Sequence, residues 1–148
     1  MIHIVPTAPH HAPSIHQIEQ LCFPDPWSIN SIIGEATAPH AICLVAVKDE
    51  KNDEVLGHVS MRHIINEGHI NNIAVHPNHR QQGVGILLLE KLIAIAIAKE
   101  MIGLTLEVRQ SNTAAINLYT KFGFEPEGIR KNYYSAPSED AIIMWKNL

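Results

Sequence analysis

Arg80-Gln81-Gln82-Gly83-Val84-Gly85 stands at the head of a long apolar run and decides how the chain is read. Glycine lets the backbone approach a ligand closely. The first turn of a helix carries unpaired N–H donors, and with the helix dipole these favour an anion such as a pyrophosphate. Arg80 adds a positive charge. No Gly-Lys-Ser/Thr ending follows, so this is not an NTPase loop. The position three after Gly85 is Leu88, so the GxGxxG pattern of dinucleotide binding is not met. Taken alone, the loop has a simpler alternative: a tight turn that holds no ligand.

Working outward, the spacing predicts a helix over Val84–Met101, closed by Gly103 in the C′ position. Leu104–Val108 follows as a strand and Ser111–Phe122 as a helix closed by Gly123. Glu125–Tyr133 and Asp140–Lys146 read as two last strands joined by Ser135–Glu139. Upstream, His69–Val75 is a strand stopped by Pro77. Asn66–Gly68 is a turn, and Val55–Ile65 and Ala41–Val47 are strands around a charged turn over Lys48–Glu54. Met1–Val5 is a short strand. Ala12–Cys22 carries Ile15, Ile18 and Leu21 at helical spacing, two prolines break the chain in Phe23–Trp27, and Ser28 caps a second helix through about Ala36. This order describes one α/β domain over residues 1–148. Its mixed central sheet is antiparallel in its first half and carries helices on both faces.

Composition narrows the function. Apolar residues make up 46% of the 148 residues, enough for one core. The formal net charge is −4 and no Lys/Arg block appears, which disfavours a nucleic-acid surface and suits a cationic partner. The most apolar stretch, Val84–Ala98, is broken by Glu90 and Lys91 and is shorter than the roughly 20 residues a membrane span needs. A protein without membrane attachment, in the cytoplasm, is expected. Cys22 and Cys43 read as buried, reduced side chains. The ten histidines come with no HExxH or Cys/His cluster, so no metal site is expected.

Leu104-Thr105-Leu106-Glu107-Val108-Arg109 alternates cleanly, which sets Thr105, Glu107 and Arg109 on one face of a strand. Glu107 is then either a working carboxylate or a surface partner of Arg109. Asn112 is a credible N-cap. Tyr119 lies two helical turns on, roughly 10 Å along the axis, on the same face as the cap. It is either a functional phenol or a core tyrosine.

Taken together, these stretches resemble a known family. Arg80-x-x-Gly83-x-Gly85, preceded by Asn72-Ile73-Ala74-Val75-His76-Pro77, is similar to the coenzyme A loop and its leading strand in the GNAT acetyltransferase superfamily. The run Leu106-Glu107-Val108-Arg109-x-Ser111-Asn112-x-Ala114-Ala115-Ile116-x-Leu118-Tyr119…Gly123-Phe124 resembles the RimI family, bacterial enzymes that acetylate the N-terminal alanine of small-subunit ribosomal protein eighteen. Ile129-Arg130-Lys131-Asn132-Tyr133-Tyr134 and Glu139-Asp140-Ala141-Ile142-Ile143-Met144 extend the likeness, as do Phe23, Pro26-Trp27-Ser28 and Glu67.

The resemblance implies acetyl-CoA as co-substrate. Ile73, Ala74 and Val75 would meet it through their main chain, on a strand splayed from its neighbour, with Asn71-Asn72 near a bulge. Arg80, Gln81, Gln82, Gly83, Val84 and Gly85 would hold its pyrophosphate, and Asn112 and Tyr119 would complete the contacts. It implies Glu107 as general base and Tyr119 as general acid, because an ammonium must lose a proton before attack and the departing thiolate gains one. A backbone amide of the splayed strand would polarise the carbonyl. No covalent enzyme intermediate and no metal are needed. The implied acceptor is the N-terminus of a ribosomal protein, beginning with alanine followed by a basic residue. Glu67, Glu139 or Asp140 would read that charge, and Tyr133 and Tyr134 would shape the entrance. Two other readings stay open: an enzyme acting on a different amine, and a non-catalytic sensor of acyl-coenzyme A.

Overall fold

The computed structural model describes residues 1–49 and 54–148, so the centre of the expected charged turn, Asn52-Asp53, lies outside the described residues. The chain runs β1 (His3–Pro6), α1 (Ala12–Cys22), α2 (Ile29–Ala36), β2 (Ala41–Val47), β3 (Val55–Ile64), β4 (Glu67–Val75), α3 (Val84–Ala98), β5 (Gly103–Arg109), α4 (Thr113–Lys121), β6 (Glu125–Tyr134) and β7 (Glu139–Asn147). Seven strands form one sheet in the order β1-β2-β3-β4-β5-β7-β6. Neighbours are antiparallel except β4 and β5, which run parallel.

Strand alternation feeds two cores. Leu44 and Ala46 of β2 pack with Leu88, Leu89 and Leu92 of α3, while Val45 and Val47 turn to Ala12, Ile15 and Ile18 of α1 and Ile32 of α2. Each fully buried Leu or Ile of this kind contributes roughly 1.5–3 kcal/mol. Ser28 Oγ accepts the Ser31 amide at 3.1 Å, and Asn112 Oδ1 accepts the Ala115 amide at 3.2 Å, so both expected N-caps are in place.

Two details position the site. β4 and β5 pair only from Glu67↔Gly103 to Ile70↔Leu106, and past that point they part. On its other edge β4 shifts register against β3: Ser60 faces Asn72 but Met61 faces Ile70, which leaves Asn71 as the extra residue of a bulge.

Three sequence expectations need correction. Leu21 is 54% exposed, and α1 instead buries Ala12, Ile15, Ile18 and Glu19. β4 begins at Glu67, because the turn occupies Ile65 and Asn66, with Ile65 at φ 57°. Helix α3 stops at Ala98, and Glu100 takes the left-handed position at φ 60°. The Glu100 amide reaches Ile97 O and the Met101 amide reaches Ala96 O, which is a Schellman closure without glycine. Gly103 serves β5 instead: a Cβ there would clash with the Trp145 ring.

Candidate active site

Two clefts meet where β4 and β5 part. One, of about 680 Å³, is bounded by Ile73–Val75, the loop around Arg80 and Gly83, the start of α3, and α4. The other, of about 450 Å³, is bounded by Asn71, Asn72, Glu107, Trp27, Tyr133 and Tyr134. Tyr119, Asn112, Ile73 and Cys22 line both.

The first cleft has the features of an anion and amide site. From Asn72 to Val75, β4 pairs with β3 on one edge only. Its other edge therefore offers main-chain groups to a ligand. Gly83 caps α3 at φ 80°, a conformation that favours glycine, and a Cβ there would meet nothing within 4 Å. The amides of the first turn of α3 have no intrahelical partners and point outward. Gly85 is constrained differently, since its Cβ would press on Leu118 of α4 at 3.3 Å. Arg80 Nε donates to Val75 O at 3.4 Å, and its Nη2 lies 3.4 Å from Cys22 Sγ. Ile73, Ala74, Val75, Arg80, Gln81, Gly83, Val84, Gly85, Asn112 and Tyr119 all line this cleft; Gln82 stands outside the lining.

The second cleft holds the titratable side chains Glu107, Tyr119 and Tyr134. Glu107 is mostly buried, its Oε2 2.7 Å from His69 Nε2 and its Oε1 3.4 Å from Arg130 Nε. Arg109 is not its partner. That guanidinium instead donates to Glu139 Oε1 at 3.2 Å and to the carbonyls of Pro137 and Ser135, and lies 4.4 Å over the Tyr134 ring. Arg109 thus braces the β6–β7 connection that walls the cleft. Tyr119 is 5% exposed, and burial pushes its phenol well above the usual tyrosine range. Burial, with Tyr133 and Glu107 adding to it, pushes Tyr134 up to about 12. Both phenols therefore keep their protons at neutral pH.

Residues 12–124 match the model of the Acetyltransferase (GNAT) family. The chain belongs to that family. It is 37% identical over 134 residues to the [ribosomal protein bS18]-alanine N-acetyltransferase of Salmonella typhimurium, covering 89% of this chain and 88% of that one. Its fold superposes on the crystal structure of the ribosomal-protein-S18-alanine N-acetyltransferase from Escherichia coli with a TM-score of 0.89 and 32% identity, over 99% and 94% of the two chains. Arabidopsis thaliana NAA60 in complex with acetyl-CoA shares the fold at a TM-score of 0.88, with 17% identity over 100% and 99% of the chains.

This GNAT enzyme uses acetyl-CoA, and the first cleft fits it. A left-handed glycine cap with open space above it suits a pyrophosphate, and a strand with one free edge suits the amides of a pantetheine arm. Among the described residues no group of three or more His, Cys, Asp or Glu side chains could hold a metal, and no helix is long and apolar enough to cross a membrane.

The acceptor-side expectations fare differently. Tyr133 and Tyr134 line the cleft, but Glu67, Glu139 and Asp140 do not. Glu67 is exposed at the far end of β4, where the pairing with β5 begins and away from the splay. Glu139 is engaged by Ser111 and Arg109, which hold its carboxyl below the usual range. Asp140 accepts the Asn132 amide at 2.9 Å. Asp25, exposed, lines the cleft in their place. Both cysteines are free but only partly buried. Three residues in or behind the site escaped the sequence reading: Glu19 in the cleft lining, and His58 and His69, which hold Glu19 and Glu107. The available signal was a carboxylate on the apolar stripe of α1, four residues after Ile15, and a histidine inside the apolar strand β3.

Proposed function

We propose that this protein transfers the acetyl group of acetyl-CoA directly to the N-terminal α-amine of ribosomal protein bS18, in the cytoplasm. The observation that carries the reading is that Glu107 and Tyr119 line one cleft at the point where β4 opens from β5. The acceptor follows from the relatives named for alanine N-acetylation of bS18.

Acetyl-CoA supplies the acetyl group as a thioester, held by the free edge of Ile73–Val75, the Gly83–Gly85 loop, Arg80 and Asn112. Glu107 draws the proton from the ammonium, directly or through a water in the cleft. His69 and Arg130 fix the carboxylate in place for that task. Tyr119, protonated and desolvated, gives a proton to the leaving sulfur. An amide of the β4 edge polarises the carbonyl under attack. Tyr133 and Tyr134 wall the acceptor side, and Asp25 supplies a carboxylate at its rim for a basic second residue. No cysteine takes part, and no covalent enzyme intermediate forms.

The test is incubation of bS18 carrying a free N-terminal alanine with enzyme and acetyl-CoA, followed by mass-spectrometric location of the acetyl group. An acetyl group on the α-amine supports the reading. Acetylation confined to lysines would replace it with a lysine acetyltransferase.

A further inference from the structure

Glu19 is 1% exposed, yet it reaches the floor of the acceptor cleft. Its Oε2 accepts from Asn72 Nδ2 at 2.7 Å and lies 3.0 Å from His58 Nε2, and its Oε1 accepts the Trp27 amide at 3.3 Å. One carboxylate thus ties helix α1, strand β3, the start of the free β4 edge and the loop that walls the acceptor side. An apolar side chain would fill this position on the α1 stripe without the cost of burying a charge. The carboxylate is satisfied on both oxygens, and what it holds is specific. Asn72 follows the bulge residue Asn71, and Trp27 lies in the loop between α1 and α2. Both line the acceptor cleft.

We propose that Glu19 is a positioning residue for the acceptor amine: it sets the Trp27 loop against the β4 edge and so fixes where the acceptor lies relative to the acetyl group. The proposal rests on the α-amine acetyltransferase reading above. Glu19 lines the acceptor cleft but not the cleft bounded by the Gly83 loop and the first turn of α3, so the hold on acetyl-CoA is separate. Loss of the Glu19–Asn72 link therefore acts on acceptor KM and on kcat, not on acetyl-CoA affinity.

The test is steady-state kinetics with an alanine-initiated peptide, calorimetric binding of acetyl-CoA, and thermal unfolding, on wild type, Glu19→Gln, Asn72→Ala and the pair Glu19→Gln/Asn72→Asp. In the pair, the glutamine amide donates to the aspartate and the bond is remade with its polarity reversed. Glu19→Gln and Asn72→Ala should each raise peptide KM by about tenfold, the worth of one hydrogen bond to a charged group. Acetyl-CoA affinity should stay unchanged, and the reversed pair should recover most of the loss. If Glu19→Gln does not fold, Asn72→Ala carries the KM comparison. A folded Glu19→Gln that lowers Tm alone, with wild-type KM and kcat, overturns the proposal, as does a reversed pair with no recovery. A wild-type enzyme that leaves the α-amine untouched overturns the function and the acceptor role together; turnover with unaltered variants overturns only the role of Glu19.

Discussion

Glu107 of β5 and His69 of β4 meet at 2.7 Å, from Oε2 to Nε2, just before the two strands separate. The tautomer with its proton on Nε2 donates to the carboxylate and holds it toward the opening. If Glu107 is the base, Glu107→Gln keeps the shape and removes the function. kcat should fall by about 10²–10⁴-fold while acetyl-CoA binds as before. Full activity across a pH series would make Glu107 a structural partner of His69 and Arg130.

His69→Ala should cost less, because the carboxylate survives but loses its orientation. A fall in kcat of about tenfold is expected, the scale of a single hydrogen bond to a charged group. His69→Gln, which can still donate, should regain most of it. Steady-state rates of the two variants, with acetyl-CoA affinity as control, make the comparison.

Tyr119→Phe removes the phenolic proton while keeping the ring packed 5.7 Å from Phe124. kcat should fall by about 10²–10⁴-fold. Burial raises the folded pKa of Tyr119 above its unfolded value of about 10. The protonated form is therefore complete below pH 10 and is lost only as pH climbs through the higher folded value. Any alkaline limb of kcat due to this residue must lie above pH 10, and stability should drain away in the same window. A limb near pH 8 that persists in Tyr119→Phe would assign it to another group.

Gly83→Asp brings a side chain to a left-handed position at φ 80° and a negative charge beside the helix N-terminus proposed to hold the pyrophosphate. The backbone strain is of order 1–3 kcal/mol, which the fold can absorb. Acetyl-CoA affinity should drop sharply. Calorimetry on the folded variant showing unchanged affinity would remove the loop from the cofactor site.

Much of this was legible in the sequence, and the remainder has a common cause. The bounds of α1 and β2 follow from local signals: a proline-broken segment after Cys22 and an unbroken apolar run over Ala41–Val47. Strict alternation places Glu107 opposite buried neighbours, but its role comes only from the family resemblance, since alternation alone equally allows a partner of Arg109. The end of α3 is misplaced because Glu100, not a glycine, adopts the left-handed closure, while Gly103 answers to Trp145 more than forty residues later. The partners of Glu107 are hidden for the same reason. His69 lies across a parallel pairing and Arg130 on another strand, whereas the nearby Arg109 turns to the β6–β7 connection. Glu19 lies on the apolar stripe of α1, but its partners His58, Asn72 and Trp27 come from distant elements that only the fold brings together.

The acceptor tests the central claim most directly. An α-amine has an unperturbed pKa of about 8 and a lysine amine about 10.4, which favours the α-amine by roughly 3 kcal/mol of deprotonation cost near neutral pH. The cleft must supply the remaining discrimination. The decisive measurement compares an Ala-Arg peptide with a matched peptide whose N-terminus is blocked and which carries an internal lysine. Both are run at saturating acetyl-CoA, and the acetyl group is located by mass spectrometry. Acetylation of the α-amine far above the lysine is the predicted result. Equal rates on the two peptides, or acetylation of lysine alone, would contradict the account.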